Sequence, residues 1–408
     1  MRTLLVTAAL AVLVAPAAAS AAPTVRYGIQ DDAWLAHGTG TLDGRVRSLQ
    51  RLGVEVVRFT IPWNRTEPRR GRFDWRIPDA VLPALRKRGI RPLVTLTGTP
   101  RWANGGRAPN VAPRHAADFA RFAAAVAARY PWVRDWSIWN EPNQARFLRP
   151  ASPRTYVTRL LNPAHAAIHR RVRSARVAGG ETAPRGNTGG VSPVAWIRGM
   201  RAAGARLDAY AHHPYALSRF ETPFGGGCGH CSTLTMATLE RLLREVGRAW
   251  PGKRVWLTEY GYQTNPPDRL LGVSHDAQAR YLGDAALRAY RAPRVDLLIH
   301  FLVRDEEDLG RFQSGLYTSS GAPKPAAAAF PLPLASSGRG RVWGQVRPRA
   351  GPQPYRLQLV RRDGSTAWLG GVRRTTARGF LTARVPRGAT VRLYSVRDRT
   401  HGIPVLVR

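Results

Sequence analysis

The strongest constraint on this chain is a repeated alternation. Eight short runs rich in apolar and β-branched residues begin at Val25, Val54, Ile90, Val133, Ala175, Leu207, Arg254 and Arg294. Between them lie amphipathic segments of helical period, rich in Ala and Arg, such as Asp43 to Leu52, Asp79 to Arg88, Arg114 to Tyr130, Thr155 to Arg173, Thr233 to Trp250 and His275 to Arg291. Near-continuous apolar strands are the kind buried on both faces. Eight of them alternating with helices predict an α/β chain whose parallel strands close into a (β/α)8 TIM barrel over residues 24–335. In that architecture chemistry gathers where the strands end. Arg58, Trp63, Trp102, Asn140, Glu141, His212, His213, Tyr215, Glu259 and Tyr260 all fall late in their runs or just after them.

Beyond "GLYTSSGAPKPAAAAF", expected to close the barrel, "PLPLASSGRGR" reads as a linker of Pro, Ser and Gly. The runs "RVWGQV", "YRLQLVRR", "TAWLGGV", "GFLTARV" and "TVRLYSVR" then alternate apolar and polar residues. They predict a small antiparallel β-sandwich over residues 338–408, an accessory domain with 16 arginines, two acids (Asp363 and Asp398) and one histidine, His401.

The opening "MRTLLVTAALAVLVAPAAASAAP" has a basic start, an apolar stretch from Leu4 to Val14 and small residues around Ala17 to Ala22. This predicts a secretory signal peptide over residues 1–22 and a secreted protein, extracellular or at the cell surface. No later segment offers about 20 apolar residues, so no membrane span is expected. The net charge of +37 raises the question of nucleic acid. Only Lys87, Lys253 and Lys324 are lysines, however, and the 60 arginines are spread along the chain without a dense basic run. A nucleic-acid partner is therefore not expected, whereas a field this positive favours acidic polysaccharide or cell-wall glycan. The two cysteines stand together in "GGGCGHCST". In an exported chain Cys228 and Cys231 are expected to form a short disulfide after strand six rather than a redox or metal centre. No metal or cofactor is called for, and a monomer is expected.

Two carboxylates close the reading. Glu141 ends strand four in "DWSIWNEPNQ", and Glu259 ends strand seven in "RVWLTEYGYQT". Such strand ends face each other across a barrel mouth. A pair of carboxyl groups there can cleave an acetal, one as acid and the other as nucleophile, and neighbouring Trp and Tyr rings stack on sugar faces. "WNEPN" on strand four and "LTEYGYQT" on strand seven, with "VVRF" on strand two and "HHPY" on strand six, resemble the signatures of glycoside hydrolase clan A. The layout over residues 24–335 is similar to its exported family-39-like or family-5-like members.

The resemblance implies a retaining glycosidase that cleaves O-glycosyl bonds. Glu141 would be the general acid/base and Glu259 the nucleophile. Asn140 would hold the sugar 2-hydroxyl, and Arg58 would hold the carboxylate of Glu259. His213, Tyr215 and Tyr260 would line the reacting subsite, with either His213 or Tyr215 approaching Glu259. Trp63 and Trp102 would serve as sugar platforms, whereas His212 and Trp136 suit the core. By the same reading Glu259 stays ionised beside Arg58, and Glu141 keeps its proton among Trp139 and other rings. One departure stands out, because the clan usually ends strand eight in tryptophan. Here "LLIHFLVRDE" offers His300, Phe301, Arg304 and Asp305 in its place. A transglycosylase, and a catalytically silent barrel that only binds glycan, are the competing readings.

Overall fold

The computed structural model describes residues 24–347 and 351–408, so the expected signal peptide lies outside the described residues. Eight parallel strands close into a barrel in chain order: β1 (Arg26–Gln30), β2 (Val56–Pro62), β3 (Arg91–Thr97), β4 (Asp135–Ile138), β5 (Arg176–Thr182), β6 (Ala209–His212), β7 (Arg254–Tyr260) and β8 (Val295–Phe301). Each begins within two residues of the expected run, because an apolar stretch between helices has only the barrel wall in which to bury both faces. Closure is made by β1 pairing with β8, Arg26 beside Leu297 through Gln30 beside Phe301.

The helices start where the sequence supplies an oxygen for their free N–H groups. Thr41 caps Leu42–Arg51, Ser192 caps Pro193–Ala202 and Ser274 caps His275–Arg291, each accepting from a backbone N–H one turn in. Their apolar faces meet the barrel's outer surface in one large core. A second, smaller core fills the inside: Val56, Leu93, Ala178, Ala209, Ala211, Trp256, Leu297 and Ile299. Small residues on β5 and β6 leave room for the single Trp256 ring, and Gly28 is required because a Cβ there would sit 2.3 Å from the Val56 carbonyl oxygen.

The entry end of the barrel carries an alternating ring of charge. Odd strands open with Arg26, Arg91, Arg176 and Arg254, and even strands open at or beside Glu55, Asp135, Asp208 and Asp296. Asp135 takes Arg176 at 2.9 Å, with Arg91 at 3.5 Å and Arg26 at 3.7 Å, while Arg254 reaches Asp296 at 2.6 Å. Asp208 instead takes His169 at 2.8 Å and His165 at 3.5 Å.

The C-terminal residues form a three-stranded sheet and a six-stranded sheet, both antiparallel. One expectation is corrected here. The stretch read as a linker contains the strand Leu334–Gly338, paired with Arg341–Gln345. Ser336, Ser337 and Gly338 there are half-buried, whereas Leu334 and Ala335 are buried. The domain is docked on the barrel. Tyr290 packs on Trp343 at 5.3 Å and Phe380 at 4.8 Å, Arg347 lies 4.1 Å over the Tyr27 ring, and Arg378 bonds Glu55 at 3.0 Å. Among the described residues no helix is long and apolar enough to cross a membrane.

Candidate active site

At the exit end of the strands lies a cleft of about 890 Å³. Gln30, Asp32, Thr60, Asn140, Glu141, Tyr215, Glu259 and Phe301 are among the residues lining it. The "WNEPN" segment shows how the chain builds this mouth. Trp139 has φ 74° and Glu141 φ 41°, left-handed positions that side chains avoid unless packing holds them. Three bonds do so: the Trp139 indole donates to the Phe147 carbonyl at 2.9 Å, Arg58 donates to the Asn140 oxygen at 3.0 Å, and Ala183 donates to the Asn143 oxygen at 2.9 Å. Asn143 also donates to the Val191 carbonyl at 3.1 Å, tying the loop after β4 to the loop after β5.

Glu141 and Glu259 face each other. One carboxylate oxygen of each, and a ring nitrogen of His213, all lie within 4.8 Å of one another. Glu259 accepts from Arg58 at 2.8 Å on one oxygen and from the Tyr215 hydroxyl at 2.9 Å on the other. Tyr215 is thus the residue of β6's exit that holds the expected nucleophile. His213 goes instead to Glu141, Nδ1 to Oε1 at 3.0 Å, and lies 3.8 Å from Glu259. The surroundings expected for Glu141 therefore need correction: its immediate partner is an imidazole, because the Trp139 indole is turned to Phe147.

The centre holds a third carboxylate that sequence reasoning missed. Glu181, at the end of β5, is fully buried. One of its oxygens accepts from Arg58 at 2.9 Å, His213 Nε2 at 3.0 Å and the Thr258 hydroxyl at 3.1 Å. Burial opposes its charge, but Arg58 and His213 outweigh that and hold the carboxyl below its usual range. Its signal was present. "ARVAGGE" ends in an acid at the height of the other polar strand ends, in a chain with only 26 acids.

Electrostatics separate three buried histidines. Burial opposes a charge on His213, yet Glu259, Glu141 and Glu181 around it push it up to about 9. His212 is pushed down to about 3 by burial, and its ring is satisfied by Thr182 at 2.7 Å and the Leu234 carbonyl at 2.9 Å, as suits the core. His300, likewise buried, is also pushed down to about 3. Arg58 is raised further: its burial is outweighed by Glu181 and Glu259.

The aromatic assignments are corrected in part. Trp63 is fully buried, its indole donating to Glu67 at 2.7 Å and its ring stacked on Phe122 at 5.6 Å, so no face is open to a sugar. Trp102 donates to the Glu67 carbonyl at 2.9 Å between Arg70 and Arg121, and neither tryptophan lines the cleft. Tyr260 is buried behind Tyr215, with ring centroids 6.5 Å apart. Phe301 does line the cleft, edge-on to Phe312 at 5.1 Å, and Phe312 packs on Tyr215 at 5.9 Å. These three rings make the aromatic wall where strand eight lacks its tryptophan.

Cys228 and Cys231 form a disulfide in the loop after β6. Two further groups have ligand atoms close enough to share a cation, Glu141 with His213 and Glu259, and His165 with His169 and Asp208. In each the donors already bond one another.

With this geometry in view, the likenesses to known proteins are specific. A family model described as beta-galactosidase matches residues 34–131. A search of curated protein sequences finds no match. Among solved structures, a family 39 glycoside hydrolase from Bacteroides cellulosilyticus WH2 superposes with TM-score 0.64 at 18% identity, over 89% of this chain and 81% of that one. A monomeric beta-xylosidase from Caulobacter crescentus CB15 gives TM-score 0.61 at 17% identity, over 92% and 97%. The family 39 enzyme from Xanthomonas axonopodis pv. citri gives 0.57 at 18%, over 90% and 93%. The chain has the fold of the family 39 glycoside hydrolases. The barrel with its appended antiparallel sheets spans nearly the whole of these proteins, and the family-39-like layout expected from the motifs fits them.

Proposed function

We propose that the protein is an exported retaining glycoside hydrolase acting on β-glycosidic bonds in a polysaccharide or glycoconjugate. The observation that carries this is the facing pair Glu141 and Glu259, with oxygens within 4.8 Å and opposite surroundings. Carboxyl groups about 5 to 5.5 Å apart suit direct attack, whereas inversion needs about 6.5 to 9.5 Å to admit a water. Glu259, held by Arg58 and Tyr215, attacks the anomeric carbon while Glu141 protonates the departing oxygen. Glu141 then deprotonates the water that frees the sugar. A beta-xylosidase, an exo-beta-1,4-mannosidase and a beta-glucuronidase are among the proteins of similar structure, which supports the β configuration and leaves the sugar to the cleft.

The leaving group must approach Glu141, so it lies toward the loops after β4 and β5. There Arg146 and Arg185 are exposed, line the cleft and have no acidic partner among the described residues. The reacting sugar lies toward Gln30, Asp32, Thr60 and the Phe301 wall, where the Asp32 carboxylate suits hydroxyl groups. A neutral glycone on an anionic chain fits this polarity and the overall charge. The amide nitrogen of Asn140 remains for the 2-hydroxyl, its oxygen being taken by Arg58.

The test is hydrolysis of an array of aryl β-glycosides and soluble polysaccharides, with product stereochemistry followed by NMR. Retained configuration, lost in Glu259→Gln, is expected. Inverted product or unchanged Glu259→Gln activity overturns the mechanism. Transfer to acceptor sugars in place of water would move the protein to the transglycosylase reading.

A further inference from the structure

Glu181 has no part in the double displacement as written, yet the fold goes to some length to place it. The β5–β6 register shifts between Gly179 and Thr182, a bulge that turns the strand's end. Gly180 sits at φ 103°, where a Cβ would meet the Tyr210 ring at 2.6 Å and the Ala211 carbonyl at 2.8 Å. Glu181 itself takes φ 46°. The result is a fully buried carboxylate behind the two reacting ones.

We propose that Glu181 is a positioning residue, which fixes His213 between two carboxylates so that its Nδ1–H is donated to Glu141 throughout the reaction. This rests on the glycosidase reading for its consequence, though not for its geometry. Both ring nitrogens of His213 stand 3.0 Å from a carboxylate oxygen, Nε2 from Glu181 and Nδ1 from Glu141. Glu181 is ionised and only accepts, and the Glu141 oxygen that faces Nδ1 is the one without the acid proton, so the ring donates from both sides and carries a positive charge. Of the charged groups packed against it, Glu141 from the end of β4, Glu181 from β5 and Glu259 from β7 favour that charge, and Arg58 from β2 opposes it but is itself bonded to Glu181 and Glu259.

The chemical consequence follows from Glu141's two oxygens. Oε1 takes the imidazole, and the other oxygen is left for the cleft. When Glu141 gives its proton to the glycosidic oxygen, its O–H bond breaks, the leaving group's O–H bond forms, and a negative charge appears on Glu141. The bond from His213 stabilises that charge. In the second step Glu141 takes a proton from water and the same bond is kept. Without Glu181 the ring sheds its Nε2 proton more readily, and the neutral imidazole that remains still donates from Nδ1 but without the positive charge that steadies the Glu141 anion. Glu181 acts through a second contact too, since its bond to Arg58 helps aim the guanidinium at Glu259.

The experiment is 15N NMR of the His213 ring across pH in the wild type and in Glu181→Gln, alongside kcat and KM. In the wild type both ring nitrogens are expected to be protonated at neutral pH. In Glu181→Gln the His213 midpoint should fall by about one unit or more, with kcat down about tenfold to a hundredfold and KM little moved. Glu181→Asp, which keeps the charge, should restore most of the midpoint and part of kcat. An unchanged midpoint in folded Glu181→Gln overturns the proposal. If that variant does not fold, a singly protonated His213 in the wild type at neutral pH overturns it equally. A wild type that cleaves no glycoside would refute the hydrolase reading while leaving the NMR result to decide Glu181.

Discussion

The two ends of the barrel use the same few residue types to opposite effect. At the entry end arginines outnumber the acids they pair with. Arg91, Arg176 and Arg254 keep side-chain exposures of 49%, 34% and 39%. At the exit end three carboxylates surround two cations, and Arg58, Glu181 and His213 are at most 1% exposed. An ion pair in water is nearly free to form and contributes little. A buried one is costly to assemble and, once assembled, makes each charge depend on the rest. The entry ring therefore serves to finish strand ends, while the exit cluster can set protonation states.

The comparison breaks most sharply at Glu259. Glu259→Gln is expected to lower turnover on the order of 10⁴-fold or more, measured by steady-state kinetics. Glu141→Gln should lose about 10²- to 10⁴-fold on substrates with poor leaving groups. With activated aryl glycosides it should show a burst, because the first step then needs no proton. If either loss were matched by changes at the entry end, the division between the two ends would fail.

Protonation sharpens the contrast. His213, raised to about 9, contributes stability that is fully present below its ordinary value of 6.5 and is lost as pH rises through about 9. His212 and His300, depressed to about 3, work the other way, and stability falls as pH drops from 6.5 toward 3. The melting temperature should thus peak near pH 6.5 and decline from there toward about pH 9. His213→Asn should flatten the alkaline side of that peak.

Entry-end changes are expected to be smaller and confined to stability. Asp135→Asn, which leaves Arg26, Arg91 and Arg176 around a buried neutral group, should cost about 2 to 3 kcal/mol by denaturant titration with kcat unchanged. Arg254→Ala, on a half-exposed pair, should cost under about 1 kcal/mol.

The two ends also differed in how well the sequence disclosed them. The strand starts were legible because an apolar run has a sharp beginning, and Glu141, Glu259, Arg58 and Tyr215 were legible because strand ends point one way in a barrel. Glu181 was hidden by its glycines. "ARVAGGE" carries it to the end of a strand, but only the bulge shows that the side chain swings inward. Trp63 and Trp102 were found at the right height but assigned to the wrong surface, since whether a ring faces the cleft is decided by Glu67, Phe119 and Phe122 on later segments. The alternating ring at the entry end lies at or beside the first residue of each strand, but it emerges only once the strands are laid side by side.

The docking of the C-terminal sheets has a consequence for how the molecule sits on anything it grips. Their contacts are with Glu55 and Val25, at the entry end, and with Tyr27 and Tyr290 on the barrel's flank. The cleft opens at the far end. Anything that touched these sheets would lie behind the mouth, leaving the cleft to face away from it.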